Sequence, residues 1–150
     1  MDNKPILEVK HLCKYFSSKN AVMKAVDDVN FQIFKGETFG LVGESGCGKT
    51  TTGRTIIRLY KPTSGEVWFN GARIDGQLNK EETRAVTSKM QMIFQDPVAS
   101  LNPRMTVEEI ITEGAKINGI FHSKEELKEN VKKMLELVGL TSEHATRYPH

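Results

Sequence analysis

The chain has 150 residues, 38% hydrophobic and 27% charged, a length and mix that fit one globular domain with its own core. A formal net charge of +2 is too mild to argue for a nucleic-acid partner. No apolar run exceeds three residues, which argues against a membrane-spanning helix, and MDNKPILEVK lacks the apolar core of a signal peptide.

Membrane association is therefore expected only through a partner. Cys13 and Cys47 lie far apart, which argues against a disulfide framework and for free thiols in a cytoplasmic setting. His11, His122, His144 and His150 show no metal-ligand spacing.

In chain order, ILEVKHLCKYF (residues 6–16) reads as a strand with Leu7, Val9 and Cys13 on one face. AVDDVNFQIF (25–34) reads as a second strand through Val26, Val29, Phe31 and Ile33. ETFGLV (37–42) fits a short buried strand carrying Phe39, Leu41 and Val42. A helix is expected from Lys49 to Leu59, stopped by Lys61-Pro62-Thr63-Ser64-Gly65. EVWFNG (66–71) predicts a strand ending in an Asn-Gly turn, 81–88 a short helix, and MQMIFQ (90–95) an apolar strand. Residues 96–104 read as a loop between two prolines. The last third is helical. Thr106 and Ser123 each precede a Glu by three positions, the spacing of a capping box. Leu127, Val131, Met134, Leu135 and Val138 then form an apolar stripe that Gly139 ends, a core or partner-facing surface rather than a cofactor site.

The chemistry concentrates in GESGCGKTT, residues 43–51. It matches G-x-x-x-x-G-K-[ST] with Gly43, Gly48, Lys49 and Thr50 at the fixed positions, a pattern that chance gives in roughly one chain in two hundred of this length. Glycine lets the backbone come close to an anion, and successive N–H groups at a helix N-terminus make an anion-binding concavity. Gly43, Glu44, Ser45, Gly46, Cys47, Gly48, Lys49, Thr50 and Thr51 are thus expected to hold the phosphates of a nucleotide, with Lys49 on the β/γ-phosphates and Thr50 on Mg²⁺. Such a loop by itself permits kinases, GTPases and motor ATPases. A carboxylate beside a triphosphate is expected to be a solvated side chain, not a general base, so the Glu44 contribution is that of a loop member. Cys47 stands at a helix N-terminus, where thiols react readily, so bound ATP should shield it from alkylation.

LEVKHLCKYF, VNFQIFKGETFGLVGESGCGKTT, PTSGEVWFNG and MIFQDP follow one another in the order of ABC transporter ATP-binding subunits, and the whole chain resembles that family. QMIFQDPVASLNPRMTV and HATRYPH resemble its oligopeptide/dipeptide importer branch, which includes nickel importers. The resemblance implies an α/β, P-loop NTPase fold of ABC type. It comprises an antiparallel β subdomain, a parallel-sheet core and the start of a helical subdomain. The ATP-binding core is expected over about 1–95, and the Q-loop with part of the helical subdomain over 96–150.

By the same resemblance, Phe16 stacks on adenine, with Tyr15 as the alternative because neighbouring strand residues face opposite ways. Gln95 matches the Q-loop glutamine and would serve Mg²⁺ beside Thr50. A rival reading makes Asp96 a Walker B aspartate at the end of an apolar strand, in a different P-loop NTPase. The implied partners are transmembrane permease subunits, a second ATP-binding subunit and, indirectly, a solute-binding protein, at the cytoplasmic face of the membrane.

In the family, Tyr148-Pro149-His150 leads into the glycine-rich signature, so the signature, Walker B and catalytic Glu are not assigned and no catalytic residue is expected. The chain therefore reads as a truncated ATPase with little turnover of its own, the alternative being a non-enzymatic nucleotide-binding module. A parallel core without its Walker B strand is expected to expose apolar surface.

Overall fold

Alternating apolar residues build β1 (Leu7–Ser18) and β2 (Ala21–Ile33), which pair antiparallel across a turn at Lys19-Asn20. The computed structural model describes residues 4–121 and 123–149; residues 1–3 of the opening segment, His122 and His150 lie outside the described residues. The chain divides into two compact units, Met1–Gln91 and Met92–His150.

In the first unit α1 (Lys49–Ile56) follows the glycine loop, and β3 (Ser64–Phe69) pairs with β1. β4 (Ala72–Arg73) returns along β3 through Asn70-Gly71, whose φ angles of 50° and 77° are those a tight two-residue hairpin turn requires. The sheet runs β2-β1-β3-β4 with every pair antiparallel. α2 (Lys80–Lys89) is capped by Asn79, which exchanges hydrogen bonds with Glu82 in a full capping box.

One face of the sheet meets both helices in a core of Val9, Leu12, Val26, Ile56, Val67, Ile74 and Val86. Leu12 is fully buried although it stands an odd number of positions from Val9. The register of β1 against β2 shifts on either side of Leu12, and His11 takes a φ of 49°. This bulge adds a residue and re-aims the side chain, which simple alternation cannot foresee.

In the second unit α3 (Pro97–Ser100) lies inside the segment read from sequence as a loop. α4 (Val107–Asn118) and α5 (Lys124–Leu137) start at Thr106 and Ser123, as their capping signals required, and a short 3₁₀ helix follows at Ser142–Thr146. The Val107 N–H donates to the Arg147 carbonyl at 2.9 Å, tying the start of α4 to the end of that helix. Val131 and Leu135 of the α5 stripe are buried, whereas Met134 and Val138 are exposed.

Two expected strands are corrected. Neither 37–42 nor 90–95 forms a strand, because neither has a ladder partner among the described residues. Phe39 does stack on Phe31 of β2, with centroids 4.9 Å apart and planes at 10°. Val42 is nonetheless 89% exposed, so 37–42 is not the buried strand expected; in 90–95, Ile93 is 96% exposed while Met90 packs against the core. The four strands that form are all antiparallel, so the parallel core implied by resemblance has no ladder among the described residues.

Candidate nucleotide-binding site

The glycine loop leaves residues 37–42 and closes on the first turn of α1. Gly46 takes a φ of 81°, and Gly48, the residue before α1, takes 96°. Both angles lie in the left-handed region that favours glycine. At Gly48 space also decides, since a Cβ there would stand 2.0 Å from the Ala25 carbonyl oxygen of β2. The loop is thereby seated against the sheet, and Thr52 locks the first helical turn by donating its N–H and hydroxyl to the Gly48 carbonyl at 2.8 and 3.0 Å.

Lys49 turns back over this loop. Its Nζ donates to the carbonyls of Gly43 and Glu44 at 2.8 and 2.6 Å and lies 3.5 Å from the Cys47 sulfur. The six-residue curl from Gly43 to Gly48 therefore wraps around one ammonium. Glu44 contributes its backbone to that contact, and its side chain is exposed, along with Ser45, Cys47 and Thr50. Thr51 is half-buried, and its carbonyl accepts from the Thr55 hydroxyl at 2.7 Å. A glycine loop at a helix N-terminus, carrying a lysine and an exposed threonine, has the chemistry to take an oligophosphate with a hard cation.

Tyr15 and Phe16 have different partners, as neighbouring strand residues should. The Tyr15 hydroxyl donates to Asp27, whose other oxygen accepts from Lys24 at 3.2 Å, and the Lys24 ammonium lies 5.2 Å from the Tyr15 centroid. The Tyr15 hydroxyl, with Lys24, holds the Asp27 carboxyl below its usual range, and Asp27 in turn pushes the Tyr15 phenol up. Phe16 instead meets Tyr60 edge to face at 5.5 Å, with the Lys14 ammonium 4.9 Å from its centroid. Its register partner, Met23, is two residues from Ala25, where β2 touches the loop, so Phe16 and the loop belong to one neighbourhood.

Lys14 and Tyr60 were not singled out by sequence. Lys14 stands two residues before Phe16 on the same strand, a spacing that could have suggested it. Tyr60 arrives from the turn after α1, and no local signal announces the contact.

Gln95 belongs to the second unit and is exposed at a bend before α3. Asp96 is a helix cap, since its carboxylate accepts from the Ala99 N–H at 3.0 Å. It does not end a strand as the Walker B reading required.

The oligopeptide transport ATP-binding protein OppF of Bacillus subtilis (strain 168) is 57% identical over 145 residues, 97% of this chain and 48% of the relative. OppF of Streptococcus pyogenes serotype M1 is 51% identical over the same share of this chain and 47% of its own length. The chain thus spans about half the length of the curated relatives it matches. Among solved structures, a dimeric post-hydrolysis state of the ATP-binding cassette MJ0796, bound to ADP and Pi, superposes with a TM-score of 0.80. It is 25% identical, and the match covers 95% of this chain and 61% of the cassette. That similarity establishes the ABC-type fold class, even though the four ladder strands are antiparallel. The ABC transporter family matches residues 26–150, which carry the loop, α1 and everything after them, and the chain belongs to that family.

Proposed function

We propose that the chain binds Mg-ATP as part of the energy-coupling subunit of an importer for oligopeptides or dipeptides. The observation that carries this reading is the Lys49 ammonium, held at 2.8 and 2.6 Å by carbonyls of a glycine loop at the start of α1. The backbone of residues 43–51 cradles the phosphates, Lys49 meets the β/γ-phosphates, and Phe16 stacks on adenine. Thr50 supplies a hydroxyl oxygen to Mg²⁺, a cation that keeps several waters. Bound ATP supplies the free energy of phosphoryl transfer.

Peptide is favoured as cargo by the oligopeptide transport proteins among the relatives. The partners in this reading are permease subunits, a second ATP-binding subunit and a solute-binding protein that delivers cargo. The chain works at the cytoplasmic face of the membrane. Among the described residues no helix is long and apolar enough to cross a membrane.

Titration calorimetry with Mg-ATP tests the core of this. Lys49→Ala should weaken binding roughly tenfold or more, the scale of a lost charged hydrogen bond. The 150 residues should show little turnover. Unchanged affinity in Lys49→Ala would remove the phosphate site. Turnover that depends on Lys49 would mean that Asp96 or another carboxylate orients water here, against the helix-capping role given to Asp96.

A further inference from the structure

Lys14, Phe16 and Tyr60 form a cation–aromatic cluster with a use beyond packing. The Lys14 ammonium lies 4.9 Å from the Phe16 centroid and 5.9 Å from that of Tyr60. The two rings meet at 5.5 Å with planes at 89°. Tyr60 is itself anchored, because Arg54 Nη1 donates to its hydroxyl at 3.2 Å. Arg54 belongs to α1, the helix that opens at Lys49.

The other end of the cluster also leads to the loop. Lys14 faces Val26 across the β1–β2 pair, and a Cβ on Gly48 would stand 3.9 Å from Val26 Cγ2. Phe16 is therefore braced from its own strand and from the end of α1, and both braces trace back to the nucleotide loop.

A phenylalanine on a strand rotates about two side-chain bonds, and a ring that must receive a flat base loses that freedom on binding. A cation held to the ring by its quadrupole, and a second ring fixed edge to face, remove much of the freedom beforehand. Such preorganisation strengthens binding without touching the ligand. The Lys14 ammonium is also directed at rings, whereas the Lys49 ammonium is directed into the loop.

We propose that Lys14, together with Tyr60, positions the Phe16 ring to receive the nucleobase, so that Lys14 acts on the base through Phe16 and not on the phosphates. This rests on Phe16 being the base platform.

The test titrates two probes, Mg-ATP and magnesium inorganic triphosphate, into the 150-residue chain and its variants. Triphosphate lacks a base, and its binding reports an intact loop in each variant. Lys14→Met should weaken ATP about two- to fivefold while leaving triphosphate unchanged. Lys14→Arg, which keeps a cation over the ring, should restore ATP binding. Phe16→Ala should weaken ATP by roughly fivefold or more, and adding Lys14→Met to it should cost nothing further. Equal losses for ATP and triphosphate in Lys14→Met would overturn the proposal in favour of a phosphate contact or a general structural role. So would a Lys14→Met effect that persists without Phe16, or no effect at all where Phe16→Ala is weakened. If Phe16→Ala binds ATP like the parent chain, the platform reading itself falls, whatever Lys14 does.

Discussion

Lys49 reaches carbonyls five and six positions before it in sequence, and only a backbone that doubles back can bring them there. The left-handed glycines make that turn, and Gly48 adds a constraint of space, with β2 too close for any side chain. The same curl sets the fate of the two thiols. Cys47 is exposed on the loop, while Cys13 is buried, its sulfur accepting the Asp28 N–H at 3.2 Å. That N–H draws the Cys13 thiol below its ordinary value, but burial still denies reagents access to it. Alkylation of the native chain should therefore label Cys47 alone, and saturating Mg-ATP should slow it several-fold. Mass spectrometry of the labelled peptides reads both outcomes. Equal Cys47 rates with and without Mg-ATP would place the phosphates away from this loop.

Elements end by chemistry that is partly legible. α5 closes with Leu140 N–H on the Leu135 carbonyl and Gly139 N–H on the Glu136 carbonyl, and Gly139 takes a φ of 76°. α1 closes by the same pair of bonds, Leu59 to Arg54 and Arg58 to Thr55, but its left-handed residue is Arg58, at 68°. Both are Schellman endings. The first was readable from its glycine. The second was not, and the expected α1 ran on to Leu59, three residues past its observed end at Ile56.

The β3–β4 hairpin is held by Arg73, which meets Glu66 at 3.0 Å and Asp75 at 3.0 Å, while Asp75 also accepts the Val67 N–H at 2.9 Å. Burial, with only 8% of the Asp75 side chain exposed, pushes its carboxyl up. Arg73 and the Val67 N–H outweigh that and hold it below the usual carboxylate value. A depressed value in the folded state means stability present above the ordinary carboxylate range and lost as pH falls through the folded value. Asp75→Asn should cost about 1–3 kcal/mol near neutral pH, and its deficit in thermal melts should shrink towards pH ~3. A deficit that stays constant with pH would mean that shape, not charge, holds the hairpin.

Across the whole molecule, apolar side chains left outside the sheet should set its behaviour in solution. Leu41 and Val42 in the first unit, and Ile93 and Phe94 in the second, are exposed in segments without ladder partners. Unpaired backbone beside exposed apolar side chains is a template for association between chains. The chain should bind a hydrophobic dye and scatter light increasingly with concentration. Ile93→Thr, at a position 96% exposed, should reduce both without lowering the melting temperature. A fall of several degrees would instead show that Ile93 is covered within the chain in solution.

The phosphate loop, its helix, the Asn-Gly hairpin and the capped helices were written locally, because each depends on residues a few positions apart. Sequence by itself therefore determined that this chain carries a P-loop, that Lys49 and Thr50 follow its last glycine, and where most helices begin. Tertiary structure decided the rest. The bulge at His11 turned Leu12 inward, and the close approach of Ala25 made Gly48 obligatory. Phe16 acquired Tyr60 and Lys14 as neighbours, and the apolar runs at 37–42 and 90–95 stayed outside the ladder. The physical reason is the same in each case. An apolar run records a preference for burial, whereas strand formation and ring placement depend on which distant segment arrives beside it.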